Sequence, residues 1–296
     1  MSAASDARIH DRGYRRFDGT RTGPSGAIRT TYRHTVERIL GLRRGGRAKT
    51  LPFIVIGLAY APAIVFIGIG VLLPDRLSRA SFPGYANYYG FILSAILLFC
   101  AFVAPEALCP DRRNRLLGVY LTSPLTRRTY LLAKLGAVTS CIAAVTLLPV
   151  LLVAVAKSLQ GTGPSTGDLA VLIGRIIASG VLLAVFYAVI TLAVSALTDR
   201  KGFASAGYVL LFIVTSSITA AIRNRGRQGA LFSRAGDWSV VFDLANLPLE
   251  TVKRIYGERG AFPGASTALL IVALAVWIAA AIVLLFGRYE RLEVTR

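Results

Sequence analysis

Residues 53–73 read FIVIGLAYAPAIVFIGIGVLL, 21 positions without a charged side chain. A bilayer's hydrocarbon core is about 30 Å thick, so a helix needs about 20 apolar residues to cross it. No water in that core satisfies backbone N–H and C=O groups, so a run this long reads as a helix that bonds to itself. Five more runs follow. Residues 85–108 are apolar until Glu106, near their end. Residues 130–156 carry only Lys134 and residues 169–197 only Arg175, each close to the start. Residues 203–222 and 265–286 carry no charge. The expected fold class is all-α integral membrane, with six transmembrane helices in one domain.

Composition agrees. Of the 296 residues, 54% are hydrophobic and 17% charged, against about 25% charged in an average soluble domain. That is too little polar surface for a soluble chain of this length. Lys134 and Arg175 are charges inside spans, where function is the default reading. Both lie within about two turns of a span end, and snorkelling to the interface accounts for them. Pro62 and Pro149 lie inside spans and are expected to kink them.

The net charge is +19, from 34 Lys+Arg against 15 Asp+Glu. Nucleic acid and anionic lipid are the usual partners of such a balance. Membrane proteins concentrate Lys and Arg at their cytoplasmic borders, which favours membrane lipids; no nucleic-acid partner is expected. The segment before the first span holds 11 Arg and Lys49. Taken as cytoplasmic, it makes the chain a multi-pass protein of the cell membrane with both termini in the cytoplasm. Residues 74–84, 157–168 and 223–264 are then external. Apart from the tail, the cytoplasmic segments hold 10 basic residues in 36 positions and the external ones 10 in 65. Density and the tail decide the orientation.

The tail divides in two. Residues 1–25 are rich in Gly, Ser, Thr, Arg and Asp and read as a disordered cytoplasmic tail. Residues 26–48 read as an amphipathic interfacial helix. Ile28, Tyr32, Val36, Ile39 and Leu40 share one helical face, flanked by Arg29, Arg33, Arg38, Arg43 and Arg44. Residues 49–296 then make the six-span domain. The first 50 residues hold no apolar run of signal type, so the first span is expected to act as the insertion signal.

Several chemistries find no footing. Cys100, Cys109 and Cys141 fall in or beside apolar runs, which indicates no disulfide framework or metal pair. His10 and His34 both lie in the tail, so no histidine-based triad or metal cluster can assemble in the membrane. GRAKT, at 46–50, has Ala48 and Arg43 where a phosphate loop needs glycines. The chain is expected to be no enzyme by itself and to bind neither metal nor cofactor directly. Glu106 is the lone carboxylate in a span, which weakens a carrier driven by protons or sodium. Within residues 223–264, Pro248, Glu250, Lys253, Arg254 and Gly257 punctuate a helix near 247–256.

The richest stretch is 103–136, VAPEALCPDRRNRLLGVYLTSPLTRRTYLLAKLG. It leaves the second span, crosses a basic segment and enters the third. A short amphipathic helix is expected to start at Asp111, whose charge suits a helix N-terminus, and to end at Pro124. Leu116, Leu117 and Leu121 would form its apolar side, and Arg112, Arg113 and Arg115 its charged side. An ordinary interfacial loop rich in basic residues has the same composition.

This stretch resembles the membrane subunits of type 2 ABC exporters, the ABC-2 type permease family. Those chains leave the second span through a Pro–Glu pair, as Pro105 and Glu106 do here. Acidic and then basic residues follow, matched by Asp111, Arg112 and Arg113. A leucine-rich run, a Ser–Pro–Leu turn with basic residues and a Lys entering the third span are matched by Leu116, Leu117, Leu121, Ser123, Pro124, Leu125, Arg127, Arg128 and Lys134. The layout of interfacial helix, six spans, long last loop and short basic C-terminus also fits. Asp111 stands where the family usually has Glu, and Arg115, Leu116, Leu117 and Gly118 stand where it usually has Gly–Thr.

The resemblance implies a fold and a mechanism. The 111–125 segment would be a cytoplasmic coupling helix. Asp111, Arg112, Arg113, Leu116, Leu117, Leu121 and Pro124 would meet a separate ATPase subunit. Two such ATPases would hold ATP and Mg, and a second permease subunit, identical or homologous, would complete the pathway. First and fifth spans would pair with that subunit. Gly57 and Ala61, like Ser216 and Ala220, are small residues four apart, a spacing that lets helices approach closely in lipid; packing within the subunit would use it equally. A stand-alone secondary transporter or channel is the alternative, favoured by an intramembrane carboxylate pair. A membrane-embedded enzyme or assembly factor is a third, favoured by His, Asp and Glu clustered at one border. The sequence contains neither feature.

Overall fold

The computed structural model describes residues 19, 22–42, 45–72, 82–161, 163, 166–227, 233–258 and 260–291. Most of the 1–25 tail, Arg43, Arg44 and most of the 74–84 loop lie outside them. Every regular element among the described residues is helical. The first is α1 (Gly23–Ile39), followed by α2 (Gly46–Leu72) and α3 (Tyr85–Leu98). The chain then runs through a π-helical turn (Phe99–Val103) and a 3₁₀ turn (Ala104–Ala107) into α4 (Cys109–Arg113) and α5 (Leu117–Thr122). Next come α6 (Arg127–Leu159), α7 (Thr166–Ser195) and α8 (Lys201–Arg227). The short α9 (Ser233–Trp238), a 3₁₀ turn (Ser239–Phe242), α10 (Asn246–Ile255) and α11 (Thr267–Glu290) complete the chain. Among the described residues, six helices are long and apolar enough to cross a membrane: α2, α3 with its continuation, α6, α7, α8 and α11.

Local chemistry fixes the ends. Helix α1 opens with Pro24 in its first turn and closes at Gly41, whose φ of 67° is open to glycine at little cost. There Leu42 N–H reaches Glu37 C=O at 2.8 Å and Gly41 N–H reaches Arg38 C=O at 3.1 Å, the paired bonds of a glycine-terminated helix. Helix α1 therefore stops at Ile39 instead of running on to 48, and Gly46 begins α2. Thr126 and Thr129 cap α6 reciprocally, and Ser266 caps α11 through Leu269 N–H. Helices α2 and α6 run without a break through Pro62 and Pro149. Span two breaks instead at Pro105, which has no N–H for the residue four before it and widens the helix into the π turn.

Helix α7 is the hub, packed against α6, α8, α10 and α11. Burial follows from that position. Some 72% of the fourth span's most apolar stretch and 67% of the second's are buried, but only 17% of the first's and 28% of the fifth's and sixth's. The outer faces of α2, α8 and α11 thus stay open, and α2 and α8 both pack against the π turn of span two. Residues 233–258 form no free loop. Val240, Leu244, Leu247 and Val252 are buried against the bundle. Trp277 Nε1 donates to Val241 C=O at 2.9 Å, and Tyr187 Oη donates to Ala245 C=O at 3.2 Å.

Candidate functional site

Charges gather at the end of the bundle that carries α1. Asp111 of α4 is 1% exposed. Its Oδ2 lies 2.7 Å from Lys134 Nζ of α6 and accepts from Tyr130 Oη, also at 2.7 Å. Its Oδ1 accepts from the Arg38 guanidinium of α1. Arg38 Nε lies 3.8 Å from Glu106 Oε1, and Glu106 Oε2 lies 3.1 Å from Lys201 Nζ at the start of α8. Three cations and two carboxylates therefore join α1, the 3₁₀ turn, α4, α6 and α8. Buried charges persist when each finds an opposite charge, and each charge in this chain of contacts has one within 4 Å, although Lys134 Nζ and Arg38 Nε make no well-aligned hydrogen bond.

Neighbouring segments are pinned to the same end. Arg112 Nη1 donates to Ala196 C=O and, at 3.2 Å, to Thr198 C=O. Arg127 Nη1 donates to Tyr289 C=O at 3.3 Å and Glu290 C=O at 2.6 Å, and Arg128 Nη2 sits 3.3 Å from Glu290 Oε1. Both described ends of the chain, α1 and the last turn of α11, thus meet the 104–128 segment. The surplus of positive charge reaches His34 on the exposed side of α1. Its pKa lies below 6.5, first through partial burial and then through Lys134 and Arg38.

The 111–125 segment differs from the helix its sequence suggests. It is two helices, α4 and α5, hinged at Arg115, whose φ is 52°. Leu116 N–H reaches Asp111 C=O at 2.9 Å and Arg115 N–H reaches Arg112 C=O at 3.1 Å, closing α4 as a glycine would close it. Asp111 caps nothing: α4 begins at Cys109, and the carboxylate turns inward to Lys134. Lys134 does not snorkel either; it is wholly buried, because its counter-ion is inside.

The remaining candidates divide by exposure. Arg113 and Pro124 are exposed, while Leu116, Leu117 and Leu121 are half-buried. Leu117 packs on the core. Arg112 is held on backbone carbonyls and is not free to meet a partner's acids. The most exposed large apolar side chain of the segment is Val119, 67% exposed. With Tyr120, Pro124 and Leu125 it lines a groove of about 660 Å³, whose other wall is Gly23, Gly26 and Ala27 of α1. Gly57 and Ala61 are exposed on the open face of α2, and a methyl group at Gly57 would meet nothing. Ala220 is exposed on α8, but Ser216 turns inward and donates to Asp243 Oδ1 at 3.0 Å.

Sequence reasoning missed Arg38 as a buried partner, and it missed Tyr130, Lys201 and Val119. A signal was present for the charges: Glu106 and Asp111 are acids five residues apart at a span border, and such acids need cations.

No protein-family model matches the chain, and no curated protein matches it. The fold alone defines the class: a multi-pass α-helical membrane protein.

Proposed function

We propose that this chain is the membrane subunit of an ATP-driven exporter of the type 2 ABC class. In this reading the 109–125 segment transmits force from separate ATPase subunits. One observation carries it. The segment is clamped from beneath by the Asp111, Arg38 and Lys134 contacts and presents Val119 and Pro124 on its free side. An element that must pass on a push needs a rigid base and an uncovered contact face, and this one has both. Two ATPases, holding ATP and Mg, would dock there. A second permease subunit would cover the open face of α2 at Gly57 and Ala61 and the second half of α8 at Ala220, leaving the first half of α8 clear. The arginine-rich end then faces the cytoplasm of a cell membrane, with both termini inside and residues 223–264 outside.

The test is retention of a purified ATPase partner on the full chain. Burying a valine contributes about 1.5–3 kcal/mol, so Val119→Asp should weaken retention by roughly tenfold or more. Arg113→Ala should change it little, since exposed ion pairs contribute about 0–1 kcal/mol. Full retention by Val119→Asp would remove the coupling role and favour a carrier or channel working alone.

A further inference from the structure

A second groove lies on the membrane-facing side of the bundle, along the first half of α8. Phe102 from the π turn of span two walls one side. Lys201, Ser205, Ala206, Val209, Leu210 and Ile213 line the rest, around a volume of about 740 Å³. That volume falls in the range of small-molecule sites, about 300–1,000 Å³. Two features of it are unlike an ordinary lipid-facing helix surface.

Length is one. Ile213 lies twelve positions after Lys201, a rise of about 18 Å at roughly 1.5 Å per residue. Half of the hydrocarbon core is about 15 Å. The groove therefore runs from the membrane border to about the midplane, the depth of one leaflet. Its floor is small-residued: a methyl group added at Gly202 would meet nothing.

Polarity is the other. The lining is apolar except for Ser205, whose hydroxyl turns back to Lys201 C=O at 3.0 Å, and the Lys201 side chain at the border, which is 44% exposed. Its ammonium has three N–H donors, and Glu106 Oε2, 3.1 Å away, occupies one side of it. An anion approaching from the bilayer border meets the open side. A second copy of α2 or α8 cannot supply that anion, since neither helix contains an acidic residue. A lipid headgroup can.

We propose that this groove binds the acyl chain of an anionic amphiphile from the adjacent leaflet, with a phosphate headgroup at Lys201. Its role as a cargo site rests on the transport reading above; its existence as a binding site does not. In that role the chain takes up a long-chain amphiphile sideways from the membrane.

The experiment uses the full chain in phosphatidylcholine vesicles without any ATPase, so this site and the coupling segment can fail separately. The probes are a phosphatidic acid and a diacylglycerol with identical chains, each carrying a photoreactive group near the chain end. Adducts are mapped by peptide mass spectrometry. Phosphatidic acid should label residues 202–213 in preference to diacylglycerol, and unlabelled phosphatidic acid should compete. Ala206→Trp fills the groove from an exposed position and should abolish that labelling. Val276→Trp, on the exposed face of α11, should leave it unchanged. Lys201→Gln should lower the preference for phosphatidic acid about fivefold, the effect of one basic side chain at a membrane surface.

Equal labelling of wild type and Ala206→Trp would overturn the site. Equal labelling by both probes in wild type would overturn the headgroup assignment. Efficient disulfide formation between copies of Val209→Cys in the same vesicles would show that a second copy fills the groove, which also overturns the proposal.

Discussion

At the α1 end of the bundle, Arg38, Glu106, Asp111, Lys134 and Lys201 meet one another side chain to side chain. At the opposite end the charged side chains meet mainly backbone, apart from the Lys253–Glu250 pair within α10 and the Ser216 and Asn246 side chains on Asp243. Glu250 Oε1 accepts from Ala261 N–H at 2.7 Å, and Asp237 Oδ2 accepts from Gly264 N–H at 2.8 Å. Arg254 donates to Phe262 C=O and Ala265 C=O, and Arg223 to Ala261 C=O. Asp243 accepts from the N–H groups of Ala245 and Asn246. The second arrangement fastens a loop to the nearest helix, one bond at a time. The first ties separate helices together through charges that depend on each other. Loss of one member should therefore spread at the α1 end and stay local at the other.

The largest effect is expected at Asp111. Asp111→Ala leaves Lys134 and Arg38 buried without their shared carboxylate, and breaking a buried pair on one side costs about 3–5 kcal/mol. Unfolding of the purified protein in detergent should show that loss. Removing Lys134 as well, as Asp111→Ala with Lys134→Met, should recover most of it, because Arg38 keeps Glu106 and no buried charge is left without an opposite one. A double variant no more stable than the single one would mean that Asp111 matters for a reason other than its pairing.

At the opposite end the effect should be smaller. Glu250→Ala removes a charged acceptor from Ala261 N–H, and hydrogen bonds to charged groups contribute about 1.5–3 kcal/mol. Among the described residues Glu250 pairs only with Lys253, 3.5 Å away on its own helix and partly exposed, so no second substitution should rescue it as Lys134→Met rescues Asp111→Ala. Proteolysis near 258–264 should report the loosening before global unfolding does.

These contrasts also mark what the sequence could disclose. The six spans were legible because 20 or so apolar residues have few other fates in a chain this long. The helix at 246–255 was legible from Pro248 and Gly257, whose φ of 76° completes its end. The burial of Lys134 was not. A lone lysine near a span end reads as snorkelling unless its counter-ion is known, and Asp111 lies 23 positions away on another helix. The inward turn of Asp111 in turn hid the break in the 111–125 segment, since a capping aspartate and a buried one look alike in sequence. Ser216 escaped notice for the same reason: its spacing to Ala220 is visible, but its bond to Asp243 is not.

The break itself can be tested. Arg115 adopts a φ of 52° between α4 and α5, a conformation that costs a residue with a Cβ about 1–2 kcal/mol. Arg115→Gly should raise stability by up to about 1 kcal/mol, the gain being reduced by glycine's greater freedom in the unfolded chain. If the segment were instead one continuous helix, the same change would lower stability by about 1 kcal/mol. The sign separates the two geometries.

The smallest expected effect lies at the fringe of the ion cluster. His34 has a pKa lowered from 6.5 by partial burial, then by Lys134 and Arg38, with Asp111 and Glu37 acting in the opposite sense. A base whose folded pKa is depressed binds its proton more readily when the chain unfolds. Its contribution to stability is therefore fully present above pH 6.5 and declines as the pH falls from there toward the folded pKa. His34→Gln should leave stability unchanged at pH 8 and flatten its decline below pH 6.5. In the Lys134→Met, Asp111→Ala background the depression should shrink, because the larger of the two cationic neighbours is gone. An unaltered decline in His34→Gln would assign the acid sensitivity to other groups and cut His34 out of the cluster's field.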